Sequence, residues 1–199
     1  MSYDVITPSA ARAIFEAILF KKGAMRWEIT RIEILNPIRW ISIRRNEVAA
    51  TASPKSGPIY IEDKNNRQQR NTLMLRDVKY RLHAKLVYIP VAKRKAEDQS
   101  REPGADESPM KYYQMFERRA RNGQCFTQPY LGTRECAATW RLVEDVNNES
   151  SPINENRDLG IMLYDMDFSN PKIQAMFYRA EMKNGVIIVP SLNSGEVLR

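Results

Sequence analysis

"RDVKYRLHAKLVYIP" (residues 76–90) is the clearest strand in the chain. Val78, Tyr80, Leu82, Ala84, Leu86 and Tyr88 share one face, and Lys79, Arg81, His83 and Lys85 share the other. Alternation with period two places the first face on a core. What flanks this strand decides the fold. Residues 91–109 are polar and turn-rich and are expected as a loop. "ESPMKYYQMFERRARNGQCF" (residues 107–126) then reads as a helix: Ser108 is the N-cap, Pro109 the first helical residue, and Asn122-Gly123 the stop.

Upstream, residues 7–22 read as a helix capped by Thr7 and opened by Pro8, with Ala11, Ile14, Phe15, Ile18 and Leu19 as its apolar stripe. Residues 26–46 are extended. Their alternation slips near Thr30 and Arg31, which predicts a bulge, and Asn36-Pro37 marks a turn. Residues 49–71 are loop-like. Downstream, "CAATWRLVED" (residues 136–145) is expected as a strand and "NNESSPINENRD" (147–158) as a loop. "LGIMLYDMDF" (159–168) reads as a strand and "QAMFYRAEMKNGVIIVP" (174–190) as a hairpin turning on Asn184-Gly185. The fold class is therefore α+β. One strand added in front would give β-α-β-β-α-β, the ferredoxin-like order. Residues 1–145 are expected to hold that domain and residues 146–199 an appended antiparallel β-rich part.

The 199 residues carry a net charge of +7, which favours an acidic partner such as nucleic acid or an anionic surface. No apolar run approaches the ~20 residues of a membrane span, and the N-terminus does not read as a signal peptide. There is no phosphate-binding G-x-x-x-x-G-K-[ST]. Cys125, Cys136 and the single His83 lack zinc-site spacing and are expected as ordinary side chains, with the thiols reduced. Asp165 and Asp167 share a strand face without an evident third ligand, so neither a metal nor a cofactor is expected. One histidine also excludes a two-histidine ribonuclease.

Four basic features remain. On the helix from Pro109, Lys111, Gln114, Arg118 and Arg121 form a stripe, with Arg119 at its flank. A cation in the first turn opposes the helix dipole, which is tolerable if an anion binds the free amides there. The alternative is that Lys111 reaches into water, balanced by Glu102, Asp106 and Glu107. The second feature is Arg44, Arg45 and Asn46. The third is "KNNRQQR" (residues 64–70), where Arg67, Gln68 and Arg70 suit phosphate contact and base-edge reading. The basic face of the strand over 78–88 is the fourth. Lys21 and Lys22, closing the first helix, add to the RNA-binding set.

Several stretches carry a resemblance: "SYDVITPSAARAIFEAILFKKGAMRW", "LNPIRWISIRRNEV", "NNRQQRNTLMLRDVKY", "FERRARNGQCFTQPYLGTRECAA", "RDLGIMLYDMDF" and "MKNGVIIVPS". In this order, over nearly the whole chain, they resemble the CRISPR-associated "Cas five" proteins of type I-C (Dvulg) systems. The resemblance implies a ferredoxin-like RAMP (RRM-like) domain with a smaller β-rich part. It implies a metal-independent endoribonuclease that cuts precursor CRISPR RNA hairpins by 2′-OH attack, leaving a 2′,3′-cyclic phosphate. The protein would stay on the 5′ handle of the crRNA within a surveillance complex, beside a Cas seven backbone and a Cas eight large subunit. The implied location is cytoplasmic.

Carried onto this chain, the family's catalytic lysine falls on Lys111. Tyr112 stands where a histidine is expected, and Leu19 where a tyrosine is expected. Lys111 can stabilise charge on the phosphorane. Tyr112 can orient, or transfer a proton only if nearby cations lower its pKa from about 10. Leu19 can do neither and continues the apolar stripe. The resemblance also implies an extra strand upstream of Ser2. A second reading of the same residues is a non-catalytic scaffold that binds crRNA and duplex DNA.

Overall fold

A computed structural model describes residues 3–55, 57–62, 64–94, 107–168 and 172–199. Most of the loop expected over 91–109, including Glu102 and Asp106, lies outside the described residues, as does Ser2. The rest forms two units: Val5–Asn36 with Lys79–Arg199, and Pro37–Val78 with the N-terminal residues.

The larger unit opens with helix α1 (Pro8–Ile18), whose N-cap Thr7 accepts the Ala10 N–H at 3.2 Å. The helix stops before Lys22 because Leu19 turns extended and buries its side chain. Gly23, at φ 74°, helps turn the chain into strand β1 (Met25–Ile34). The chain re-enters this unit as β4 (Tyr80–Tyr88), which pairs antiparallel with β1. Their register shifts between Ile29 and Arg31, so the bulge lies where the sequence slips. Helix α2 (Pro109–Arg121) follows, with Tyr112, Phe116 and Ala120 buried. Strands β5 (Arg157–Asp167), β6 (Gln174–Lys183) and β7 (Val186–Ile188) complete one sheet of order β4-β1-β7-β6-β5. Strands from both sides of residue 145 thus share a sheet.

One cluster fixes the helices to the sheet. Ile18, Leu19, Met25, Trp27, Tyr112, Phe116 and Ala120 are buried together, with Phe15, Ala84, Leu86 and Tyr88 packed against them. The apolar face read from residues 78–88 is therefore the face that meets the helices.

The smaller unit contains a two-stranded ribbon, β2 (Arg39–Val48) against β3 (Arg67–Arg76). Here the expected loop over 49–71 is corrected, because residues 67–71 already belong to β3. Its polar "RQQRN" start is exposed, so no alternation marks it as a strand. A second correction concerns residues 136–145, which form no strand. Only Ala137 makes an isolated bridge, to Tyr130, and Trp140 and Leu142 meet their apolar needs by packing on the helix cluster.

The hairpin of residues 174–188 turns on Asn184 (φ 49°) and Gly185 (φ 71°), both left-handed, as a two-residue hairpin loop demands. Gly185 is also confined: a Cβ there would lie 2.3 Å from the Ile153 carbonyl oxygen. Gly123 has a similar φ of 65° but open space around it. Gly185→Ala is therefore expected to cost about 3 kcal/mol or more, a backbone clash added to the conformational strain. Gly123→Ala is expected to cost about 1 kcal/mol. Thermal melts check this, and equal losses in the two variants would refute the Ile153 contact.

Candidate nucleic-acid interface and processing site

The first turn of α2 is built as the sequence suggests. Ser108 Oγ accepts the Lys111 N–H at 3.2 Å, and the Ser108 carbonyl accepts the Tyr112 N–H at 3.4 Å. Pro109 has no N–H, so the Met110 amide is the one left for a ligand among the described residues. Lys111 is half-buried and close enough to Glu107 to help keep that carboxyl ionised.

Glu107 organises this end of the helix. Arg94 Nη2 donates to Glu107 Oε1 at 2.6 Å and Arg94 Nη1 to Oε2 at 3.3 Å, with both side chains buried. Arg94 Nε also donates to the Ile89 carbonyl at 3.0 Å, which ties the end of β4 to the start of α2. The Tyr112 hydroxyl donates to the same Glu107 carboxylate. The hydrogen bond from Arg94 holds Glu107 below the usual carboxylate range, against the effect of burial. Tyr112 is driven the other way, pushed up to about 12 by burial and then by its bond to Glu107. The proton-accepting option for Tyr112 needed a lowered pKa; the geometry instead makes it a donor with an orienting place. Leu19 is 1% exposed, and its carbonyl accepts the Trp27 indole N–H at 2.9 Å.

His83 lies on the opposite strand face. Its Nε2 is 3.1 Å from Glu33 Oε1, and Arg81 Nη1 donates to Glu33 Oε2 at 2.5 Å. Arg31 also pairs with Glu33, and Arg81 reaches the Ser150 carbonyl at 2.7 Å. Much of the basic face read as a possible nucleic-acid surface is thus an internal ion cluster around a carboxylate 1% exposed. Burial first, then the charge of Arg31, lowers the His83 pKa.

Other cations point outward. Arg118 is exposed with no side-chain partner among the described residues. Arg119 donates to the Ile18 carbonyl at 3.0 Å, which brings the α1–β1 link, with exposed Lys21 and Lys22, beside α2. Arg121 is held by Glu144 at 2.8 Å and Glu117 at 3.9 Å. In the smaller unit, the ribbon joins two clusters that the sequence keeps apart. Arg44 faces Asn71, Arg45 faces Arg70, Asn46 faces Gln69, and Gln68 faces Glu47. Like charges directly across a ribbon are destabilising unless an anion lies between them. Glu47 offsets part of this, at 3.5 Å from Arg70, while Arg67 donates to the Ile61 carbonyl at 2.5 Å.

Asp165 is taken by Arg12, at 2.9 and 2.8 Å. No group of three acidic, histidine or cysteine side chains able to hold a metal occurs among the described residues, and both cysteines are free thiols. No described helix is long and apolar enough to cross a membrane. Arg94 and Glu107 were missed as a pair. Glu107 stands beside a cap that is legible in sequence, but nothing local marks Arg94 as its partner.

The antiparallel α+β fold thus carries a cation-faced helix and a polar, arginine-bearing ribbon, two surfaces suited to an anionic ligand. The model of the family described as CRISPR-associated protein (Cas_Cas5) matches residues 1–190, and the chain belongs to this family. A protein of Mannheimia succiniciproducens named CRISPR pre-crRNA endoribonuclease Cas5d is 41% identical over all of this chain and 89% of its own length. One of Thermus thermophilus, with the same name, is 35% identical over all of this chain and 86% of its own. Among solved structures, a functionally uncharacterized protein from Streptococcus mutans superposes with a TM-score of 0.66 at 21% identity, covering 100% of this chain and 87% of that one. A structure described as a CRISPR-associated protein gives 0.65 at 23%, with the same coverage. The fold expectation is borne out by these likenesses.

The Glu107 arrangement has a pH signature. A carboxyl with a depressed folded pKa contributes stability that is complete above its unfolded pKa of about 4.3 and is lost as pH falls through the folded value. Glu107→Gln is therefore expected to melt lower than the parent at pH 7, with the gap closing only below about pH 4. A gap that closes between pH 6 and 8 would show another group to be responsible.

Proposed function

We propose that the protein is a metal-independent endoribonuclease that cuts the repeat hairpin of precursor CRISPR RNA. The observation that carries this is the match, over the whole chain, to two relatives named pre-crRNA endoribonucleases. In the reaction, the 2′ oxygen attacks the adjacent phosphorus as its proton passes to solvent. The bond to the 5′ oxygen breaks, and that oxygen takes up a proton, leaving a 2′,3′-cyclic phosphate and a 5′-OH. Lys111 stabilises charge gathering on the phosphorane, and Tyr112, held by Glu107, keeps the first turn of α2 in place. Arg118, Arg119, Arg121, Lys21 and Lys22 on one unit, and Arg44, Arg45, Asn46, Arg67, Gln68 and Arg70 on the other, contact the hairpin and its 5′ handle. The protein then remains on the guide in a cytoplasmic complex with Cas seven and Cas eight subunits.

A second reading is favoured by one observation: Leu19 is buried and Tyr112 is a donor, so two of the three positions of the family's catalytic set cannot take a proton near neutral pH. On that reading the protein grips crRNA, and duplex DNA, without cutting. End-labelled repeat RNA in excess EDTA separates the two. The nuclease gives one cut at the hairpin base. Lys111→Ala is expected to lower its rate about 100-fold or more, with hairpin affinity held within about threefold. Binding without a cut would establish the scaffold.

Two further outcomes follow from the geometry. Tyr112→Phe is expected to keep the shape of the pH–rate profile between pH 6 and 9, since its hydroxyl ionises only near 12; loss of a limb there would restore Tyr112 as a proton carrier. Arg118→Ala is expected to weaken hairpin binding and reduce the salt slope by about one, and an unchanged slope would remove the α2 stripe from the interface.

A further inference from the structure

Phe126 is 92% exposed, more than any other large apolar residue among those described. Such a ring in water forgoes the stabilisation of burial. Its backbone is nevertheless fixed. The Phe126 N–H donates to the Ala17 carbonyl at 2.6 Å, and the Gln124 N–H to the Arg119 carbonyl at 2.9 Å. Gly123, in the left-handed region, turns the chain out of α2 just before this point. The ring is thus displayed on a held loop beside the end of α1.

Phe20, 53% exposed, lies in the link that leaves α1 three residues after Ala17. Residues 18–22 and 118–126 together carry Lys21, Lys22, Arg118, Arg119 and Arg121 and no carboxylate. Glu117 and Glu144, the acidic groups that approach this patch, are engaged with Arg121. The core of a protein–protein interface is depleted in lysine, which this patch carries twice, at Lys21 and Lys22. Isolated rings set among cations instead match the pattern of single-stranded nucleic-acid surfaces, where rings stack on bases and cations track phosphates. The patch sits towards the far end of α2 from Lys111; the last residue of the helix, Arg121, is ten residues on, about 15 Å along the axis at 1.5 Å per residue. Bases held there lie well outside the scissile step.

We infer that Phe126, with Phe20 in the adjoining α1–β1 link, is a stacking platform for unpaired bases of the RNA flanking the hairpin. This rests on the RNA-processing reading above. The test uses repeat RNA carrying 2-aminopurine at single unpaired positions next to the hairpin, and in parallel an unstructured oligonucleotide. The parent chain is expected to quench the probe at one or two positions. Phe126→Ala is expected to lose the quench and about 5- to 100-fold in affinity for both RNAs. Phe126→Leu should behave like alanine, whereas Phe126→Trp should restore quench and affinity. Because the ring is exposed, all three variants should melt with the parent.

Parent-like affinity and quench in Phe126→Ala would overturn the inference and leave the ring to a protein partner. Parent-like affinity in Phe126→Leu would overturn stacking in favour of plain apolar contact. Should the parent bind the oligonucleotide through Phe126 yet neither prefer nor cut repeat RNA, the processing reading fails while the platform stands. Binding to neither RNA sinks both.

Discussion

The seat of both helices on the sheet of the larger unit depends on the indole of Trp27. It lies 4.6 Å from the Phe116 ring and 5.2 Å from Phe15, and those two rings stack at 5.6 Å. Its N–H is bound to the Leu19 carbonyl, so the one polar atom of the side chain is satisfied inside the core. This junction joins β1, α1 and α2 in one contact. The place of α2 relative to the sheet, and with it the direction of Lys111 and Arg118, follows from it. A smaller side chain at 27 would leave a cavity among three elements at once, a large loss by any scale of core truncation.

The net charge overstates what this surface offers an anion. Arg81 and Arg31 are bound to Glu33, Arg12 to Asp165 and Arg94 to Glu107. Arg81, Arg12 and Arg94 tie elements together, while Arg31 pairs within its own strand. Outward ones include Arg118 on α2, Lys21 and Lys22 on the α1–β1 link, and Arg44 and Arg70 on the ribbon. A buried carboxylate that accepts from several donors is a strong local organiser, because removing one donor leaves charge uncompensated in a poorly solvating place. Glu107 uses that property at the helix end where Lys111 sits, and Glu33 uses it on the other face of the sheet.

The parts of this fold legible in sequence are those set by local chemistry. Thr7 and Ser108 cap their helices, the slip at Thr30 is a bulge, and Asn184-Gly185 is a hairpin turn. The parts that were not legible depend on partners distant in the chain. Residues 67–71 form a strand because β2 lies across from them, and their polar side chains give no sign of it. Residues 136–145 look like a strand by composition, yet Trp140 and Leu142 are drawn to the helix cluster instead. At the candidate site the cationic stripe was readable from helical spacing. The sense of the Tyr112 shift was not, because it comes from burial and then from Glu107, which Arg94 holds from earlier in the chain.

The pairing pattern also bears on how the chain meets its surroundings while it is being made. The ribbon closes by contacts confined to residues 39–76, so it can zip as soon as those residues emerge. The centre of the large sheet cannot, because Arg31 must wait for Ile188. Until the last strand arrives, β1 has β4 on one side and an open edge on the other, over a stretch that includes Ile29, Ile32 and Ile34. An apolar edge left open through most of synthesis is a template for pairing with other chains. In a crowded ribosome-bound state, the stability of β7 matters less than how soon it reaches β1.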